Sequence, residues 1–127
     1  MANILIAEDN KEFADLLMRY LLSAGHTVRV VNEGVRVMEE VHRQSPDIIL
    51  LDFLIPAGRG SEIIKRLKGH RDTVRIPIVI ISALNEAKAR DQGYEGGAYI
   101  YLTKPFALQD LLGYIEEAVD SSSVTMS

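Results

Sequence analysis

The chain has 127 residues, of which 47% are hydrophobic and 25% charged, as expected for one globular domain with a sizeable core. It contains no cysteine, which excludes disulfides and thiolate metal sites, and its formal net charge of -4 gives no reason to expect direct nucleic-acid binding. No apolar run approaches the roughly 20 residues that cross a bilayer, and we read no secretion signal, so a cytoplasmic location without membrane contact is expected.

Five strand-like runs alternate with helical patterns along the chain. The strands are rich in Val, Ile and Leu and are expected at 4–7, 27–31, 47–51, 76–81 and 99–102. Apolar residues at helical spacing predict helices over 13–21, 37–41, 63–67 and 108–119. Gly25 suits the left-handed position after the first helix, and Pro46 stops the second helix.

The helix between the fourth and fifth strands is the weakest in the sequence. It is expected over 85–95, yet Gly93, Gly96 and Gly97 crowd its end. An interior glycine costs a helix about 1 kcal/mol relative to alanine, so this helix is expected to shift or fray most easily. Residues 121–127 lack periodicity and predict a flexible tail that follows a single domain over 1–120.

Alternating strands and helices predict an α/β fold, in which a parallel sheet carries helices on both faces. Ligands bind such sheets outside the carboxyl ends of the strands. Glu8 and Asp9 follow the first strand, and Asp52, Ser82 and Lys104 follow the third, fourth and fifth. Three carboxylates, a hydroxyl and an amine are therefore expected to share one pocket.

The residue types in this pocket suit phosphoryl transfer. Carboxylates held close together repel unless a cation compensates, and Mg²⁺ prefers carboxylates, waters and phosphate oxygens. Asp52 could then form an aspartyl phosphate, with Lys104 supplying positive charge and Ser82 a hydrogen bond to the phosphoryl oxygens. Each residue alone is as well explained as a helix start, a turn cap or a solvated charge, so the prediction depends on their convergence.

These motifs and their spacing resemble the response-regulator receiver domains of two-component signalling, over about residues 3–119. In that family an acidic pair, a phosphorylated aspartate, Ser or Thr with Ala, and Lys-Pro follow strands one, three, four and five. The matching residues are Glu8-Asp9, Asp52, Ser82-Ala83 and Lys104-Pro105. A proline four positions and a glycine eight positions after the aspartate also match.

The resemblance implies a structure and a metal site. The fold would be flavodoxin-like and doubly wound, with five parallel strands in the order 2-1-3-4-5 and five helices. Mg²⁺ would be held by Asp9, Asp52 and the backbone carbonyl of Leu54, and by Glu8 mainly through water. The peptide bond before Pro105 would be cis.

The resemblance also implies a signalling role rather than an enzyme with turnover, with slow self-dephosphorylation at most. A sensor histidine kinase or a histidine phosphotransfer protein would supply the phosphoryl group to Asp52. Ser82 would then swing toward the phosphoryl group and Tyr101 would turn inward, although Tyr101 is equally well explained as a core residue. Helix four, strand five and helix five would form the face that binds a downstream protein.

Two departures from the family pattern lead to further expectations. Residues 107–119 contain no lysine or arginine, which argues against the charged dimer contact that some members form through helix five. An apolar partner contact near Tyr99 is the alternative. Leu54 and Leu84 are apolar at two positions that often tune self-dephosphorylation in this family, which predicts a long-lived phosphorylated state.

Other functions can be weighed from the sequence. A phosphohydrolase with an aspartyl nucleophile needs a second acid two residues later, where Leu54 stands, and no Gly-x-x-x-x-Gly-Lys-Ser/Thr stretch indicates a nucleotide hydrolase. A scaffold that binds partners without phosphate is the stronger alternative, although it has no need of the whole constellation. The three histidines show no metal-ligand spacing and are interpreted as surface residues, at His26, His42 and His70.

Overall fold

The computed structural model describes residues 1–126, and the side chains of residues 1–121. Its five strands are β1 (Asn3–Ala7), β2 (Thr27–Val31), β3 (Ile48–Leu51), β4 (Ile78–Ser82) and β5 (Ile100–Thr103). All of them pair in parallel, in the order β2-β1-β3-β4-β5. The predicted flavodoxin-like arrangement is therefore confirmed.

Five helices cover the two faces of this sheet. They are α1 (Lys11–Ser23), α2 (Val35–Arg43), α3 (Gly60–Lys68), α4 (Glu86–Asp91) and α5 (Leu108–Met126). One buried cluster joins the sheet to α2, α3 and α4, and a second joins it to α1 and α5. Within the part of the chain that the structure describes, no helix is both long and apolar enough to span a membrane.

The strands are buried on both faces, which explains their nearly continuous apolar runs. Successive side chains of a strand point to opposite faces, so Leu5 of β1 belongs to the cluster with α2 to α4, whereas Ile4 and Ile6 belong to the other. Every residue of β4 is buried. This strand begins two residues later than predicted, after Pro77, which has no backbone N–H to donate to a neighbouring strand.

The predicted limits of α4 are wrong at its C-terminal end. The helix ends at Asp91, and Gly93 then takes a left-handed conformation with φ of +100°. The N–H of Tyr94 bonds to the carbonyl of Ala89 at 3.0 Å, which closes the last turn. Glycine tolerates this backbone conformation without steric cost, so the glycines that weakened the prediction end the helix early.

The helix α5 extends into the segment that was predicted to be a tail. Its backbone is helical to Met126, and Ser127 lies outside the described residues. After Gly113 there is no further glycine or proline to end the helix, and serine and threonine are only moderately unfavourable in helices. The backbone of 121–126 therefore differs from the prediction. The domain limit at residue 120 and the flexibility of 121–127 stay predictions.

The interpretation of His26 as a surface residue is wrong, whereas His42 and His70 are exposed as expected. His26 is 8% exposed, and its Nδ1 accepts a hydrogen bond from the N–H of Ala2 at 3.0 Å. Because Nδ1 accepts, the neutral ring carries its proton on Nε2, which faces Oε2 of Glu116 at 3.5 Å. The ring therefore lies between the segment before β1 and helix α5.

Helix α3 begins at a glycine because the backbone after β3 passes unusually close. A Cβ atom on Gly60 would lie 2.5 Å from the carbonyl oxygen of Phe53 and 2.9 Å from its Cα. Phe53 directly follows Asp52, so this close approach positions the segment that carries the candidate phosphoacceptor. The physical reason for a glycine at this point is therefore steric.

We expect Gly60→Ala to lower the free energy of unfolding by about 1–3 kcal/mol, because the backbone must move to admit the methyl group. Gly113→Ala is the matched control, since a Cβ at that position in α5 meets nothing within 4 Å. That variant should gain about 0.5–1 kcal/mol from the higher helix propensity of alanine. Urea denaturation measures both, and equal stability of the two variants would contradict the steric account.

Candidate functional site

Three carboxylates meet at the carboxyl edge of the sheet. Glu8 and Asp9 follow β1, Asp52 follows β3, and one oxygen of each lies within 4.8 Å of the others. Strands β1 and β3 are neighbours, so their ends bring together acids that are distant in sequence. Glu8 and Asp52 are only 2% and 6% exposed, whereas Asp9 faces solvent. The acids therefore form a partly buried cluster that is open on one side.

The side chain of Lys104 provides a cation to this cluster. Its Nζ donates hydrogen bonds to Oε1 of Glu8 at 2.8 Å and to Oδ2 of Asp52 at 3.3 Å. The backbone N–H of Lys104 bonds to the carbonyl of Ser82 at 2.7 Å, which extends the pairing of β5 with β4 by one residue. The peptide bond from Lys104 to Pro105 is cis, as the resemblance implied.

Burial and pairing together determine the charges in the cluster. Burial raises the pKa of Glu8, although hydrogen bonds from Lys104 and from the N–H of Asn10 oppose the effect. Burial by itself would lower the pKa of Lys104, but the hydrogen bond to Glu8 and the charge of Asp52 outweigh it and raise the pKa. Lys104 therefore remains an ammonium.

The donor set of the cluster suits a divalent cation. With Glu8, Asp9 and Asp52 ionised and Lys104 protonated, three negative charges and one positive charge leave a formal charge of -2. Carboxylate oxygens are the hard ligands that Mg²⁺ prefers. The N–H of Leu54 donates to Oδ1 of Asp52 at 2.9 Å, which orients that carboxylate. A role for the backbone carbonyl of Leu54 as a metal ligand stays a prediction.

Ser82 and Tyr101 are connected through the segment that follows β4. The side chain of Ser82 is fully buried at the end of β4, and its Oγ accepts a hydrogen bond from the N–H of Leu84 at 3.2 Å. The hydroxyl of Tyr101, on β5, donates to the carbonyl of the same leucine. Burial raises the pKa of the half-buried Tyr101, whose ring also packs against the cluster with α2 to α4. Tyr101 thus makes core contacts and a contact to the site segment.

An aromatic contact on the β5 side of the site was missed by sequence reasoning. Tyr94 is buried after the end of α4, and its ring centroid lies 6.0 Å from that of Phe53 and 5.6 Å from that of Tyr101. The sequence predicts a helix over 85–95 that includes Tyr94, whereas α4 ends at Asp91 and Tyr94 follows it. The glycine that precedes it was the available signal.

A second aromatic residue lies on the opposite side of the site. The ring centroid of Phe13 is 4.4 Å from Nζ of Lys104, and the ring packs edge-on against Phe106 at 6.1 Å. The helical spacing of the apolar residues over 13–21 predicts an apolar helix face that includes Phe13. Nothing in that spacing distinguishes a ring that faces the core from one that faces a distant lysine, so the sequence carried no signal for this contact.

Comparison with known proteins identifies relatives of the whole domain. The family model of the response regulator receiver domain matches residues 4–116. The response regulator MprA of Mycobacterium leprae (strain TN) is 36% identical over 112 residues, which cover 88% of this chain and 48% of the relative. The chain spans about half the length of the curated relatives it matches.

Solved structures show the same fold. A putative response regulator from Chloroflexus aurantiacus J-10-fl superposes with a TM-score of 0.85 at 30% identity, covering 94% of this chain and 98% of that one. The receiver domain of a sensor histidine kinase from Pseudomonas aeruginosa PAO1 has a TM-score of 0.86 at 26% identity, with the same coverage of 94% and 98%. That structure has a magnesium ion coordinated in its active-site cleft.

We expect Lys104→Met to tighten Mg²⁺ binding about threefold to tenfold, because removal of the ammonium leaves the carboxylates without a counter-ion and increases their attraction for a divalent cation. Lys65→Met is the matched control. It removes an exposed ammonium that pairs with Glu95 at 3.0 Å and changes the net charge equally. Calorimetric titration should show nearly unchanged affinity for the control. Weaker or equal binding by the Lys104 variant would contradict the electrostatic account.

Proposed function

The chain belongs to the response regulator receiver domain family, and we propose that it accepts a phosphoryl group on Asp52 in two-component signalling. The observation that carries the proposal is the environment of this carboxylate. Asp52 is nearly buried, it lies beside Glu8 and Asp9, and its Oδ2 is 3.3 Å from the ammonium of Lys104. Positioning and charge stabilisation are most of what phosphoryl transfer asks of a protein.

In the proposed reaction a carboxylate oxygen of Asp52 attacks the phosphorus of a phosphohistidine. The P–N bond breaks, its electron pair stays on the imidazole nitrogen, and that nitrogen takes up a proton. The product is an aspartyl phosphate. Before transfer, the N–H of Leu54 holds Oδ1 and the ammonium of Lys104 holds Oδ2, so the plane of the carboxylate is set in advance.

Mg²⁺ is the proposed cofactor. Asp9, Asp52 and the backbone carbonyl of Leu54 would hold it directly, and Glu8 mainly through water. The net charge of the cluster and the closeness of its three carboxylates support this assignment. When bound, the ion would supply positive charge that offsets the repulsion between the carboxylates and an incoming phosphoryl group.

The protein's own residues would stabilise the transferred group. Lys104 already faces Asp52, and its ammonium would pair with a phosphoryl oxygen with little movement. The hydroxyl of Ser82, at the end of the adjacent strand β4, would donate a hydrogen bond to another phosphoryl oxygen. The ammonium of Lys104 is in place before transfer, so less reorganisation is needed on that side during the reaction.

Phosphorylation would change the face formed by α4, β5 and α5. A hydrogen bond from Ser82 to the phosphoryl group would move the segment from Ser82 to Leu84. The carbonyl of Leu84 accepts the hydroxyl of Tyr101, so the movement would reach that side chain. The phosphoryl group would thereby favour one position of Tyr101, since a ligand shifts an equilibrium only toward the state that it binds better. Tyr99, 39% exposed on this face, would lie at the centre of an apolar partner contact.

The proposed partners follow from this chemistry. A sensor histidine kinase or a histidine phosphotransfer protein would supply the phosphoryl group, and a downstream protein would bind the face of α4, β5 and α5. Contact of this domain with nucleic acid or membrane is not part of the proposal, and the cytoplasm is the proposed location. Because Leu54 stands where an aspartyl phosphohydrolase needs an acid, the domain would hold its phosphoryl group rather than turn over substrate.

Incubation with acetyl phosphate and Mg²⁺ should add one phosphoryl group to the wild-type chain, as measured by intact-protein mass spectrometry. Asp52→Asn should add none, because the amide is not a nucleophile toward phosphorus. Asp72→Asn, which changes an exposed acid on the connection between α3 and β4, should be modified like the wild type. If the wild type gains no phosphate, the chain functions as a scaffold and the proposal is wrong.

The double variant Leu54→Asn, Leu84→Glu should lose phosphate about tenfold faster than the wild type, since polar groups there can orient a water, although less effectively than a fully positioned general base. The N–H groups of the two leucines bond to Asp52 and Ser82, so both residues would lie near a phosphoryl group on Asp52.

The matched control is Leu16→Asn, Leu22→Glu on α1, whose leucines are each 49% exposed, close to the 48% of Leu54. Mass spectrometry follows the decay after acetyl phosphate is removed. A double variant at 54 and 84 that retains phosphate as long as the control does would show that these leucines do not lengthen the phosphorylated state.

A further inference from the structure

We propose that Phe13 is a positioning residue that holds the ammonium of Lys104 against the acid cluster. The proposal rests on the proposed function of Asp52 and adds a residue to the same site. The centroid of the Phe13 ring is 4.4 Å from Nζ of Lys104, well inside the roughly 6 Å within which an aromatic ring attracts a cation. The ring therefore lies next to an ammonium that also donates hydrogen bonds to Glu8 and Asp52.

The start of α1 ties Phe13 to the acids that its lysine binds. Asn10 is the N-cap of this helix, and its side chain accepts the N–H of Phe13 at 2.9 Å. The N–H of Asn10 in turn donates to Oε2 of Glu8 at 3.0 Å. Two hydrogen bonds therefore connect the backbone of Phe13 to Glu8, whose other oxygen receives Lys104. Asn10 therefore positions the Phe13 ring and the Glu8 carboxylate relative to each other.

The ring is also held from the side of α5. Phe106 lies two residues after Lys104 and packs edge-on against Phe13, with an interplanar angle of 79°. Both rings are half-buried and pack against the cluster of α1 and α5. Packing alone would explain a large apolar side chain at position 13. The packing does not explain why the ring lies beside an ammonium, which is the observation that carries the proposal.

The contact has a consequence for phosphoryl transfer. Lys104 uses two of its hydrogens on Glu8 and Asp52, and the ring of Phe13 lies close to the same ammonium where water would otherwise compete. The ammonium is thus held where phosphoryl oxygens on Asp52 would need it, before the group arrives. The effect should appear mainly in the rate of transfer and much less in metal affinity, because loss of the ring leaves the positive charge of Lys104 in place.

The test compares Phe13→Leu, which keeps an apolar side chain without a ring, with Phe13→Tyr, which keeps the ring. Tyr20→Leu is the control, because Tyr20 is a half-buried aromatic residue of the same helix that packs against the same cluster. Acetyl phosphate serves as donor: an oxygen of Asp52 attacks phosphorus, the bridging P–O bond breaks, and acetate leaves with the electron pair. Rates are measured by mass spectrometry over a range of Mg²⁺ concentrations.

Phe13→Leu is expected to lower the rate at saturating Mg²⁺ about threefold to tenfold, the range set by loss of one partly desolvated cation–ring contact. The Mg²⁺ concentration for half-maximal rate should change less than about twofold, because the carboxylates and the positive charge of Lys104 both remain. Phe13→Tyr and Tyr20→Leu should stay close to the wild-type rate. Equal losses in Phe13→Leu and Tyr20→Leu, or no recovery in Phe13→Tyr, would overturn the proposal.

Proton NMR of the lysine side chain tests the contact without phosphorylation. The ε-methylene protons of Lys104 should be shifted upfield by the ring in wild type, Phe13→Tyr and Tyr20→Leu, and should lose that shift in Phe13→Leu. An unchanged shift in Phe13→Leu would refute the contact. A wild type that shows the shift but gains no phosphate would refute the function of Asp52 instead. If Phe13→Leu does not fold, Phe13→Met replaces it in both measurements with the same expected results.

Discussion

The paired hydrogen bonds from Lys104 to Glu8 and Asp52 are the interaction on which the candidate site depends. Two carboxylates that are almost fully buried side by side would each lose several kcal/mol of hydration, and an unpaired charge in that position would be strongly destabilising. The ammonium offsets part of this cost and leaves the cluster with a net negative charge, with the exposed carboxylate of Asp9 at its open side. The net negative charge of the cluster therefore favours binding of a divalent cation.

The sheet topology makes this interaction possible. With the order β2-β1-β3-β4-β5, the acid pair and Asp52 stand at the ends of adjacent central strands, and the lysine reaches them from the edge strand β5. The two hydrophobic clusters hold the strand ends in register, so the polar groups at that edge are positioned by the core and not by their own flexible side chains. Close packing of Gly60 against Phe53 fixes the backbone next to Asp52 in the same manner.

The two sides of the site make different kinds of contact. On the side of β5, the hydrogen bonds of Leu84 to Ser82 and Tyr101 join the strand ends to the surface of α4, β5 and α5. The ring of Tyr94 adds a contact between the segment after Asp52 and the same tyrosine. On the side of α1, a ring faces the lysine itself. The link to Tyr101 and the ring contact of Lys104 thus lie on different sides of Asp52.

The sequence by itself determined the α/β class, the number of strands and the polar residues at their ends, because apolar periodicity and the residues that follow a strand are local properties. The resemblance added the strand order and the cis bond at Pro105, both of which the structure has. Only the tertiary structure decided that His26 is buried, that Lys104 binds both Glu8 and Asp52, and that Phe13 faces that lysine. Each of these depends on segments far apart in the chain, whose contacts exist only once the helices pack on the sheet.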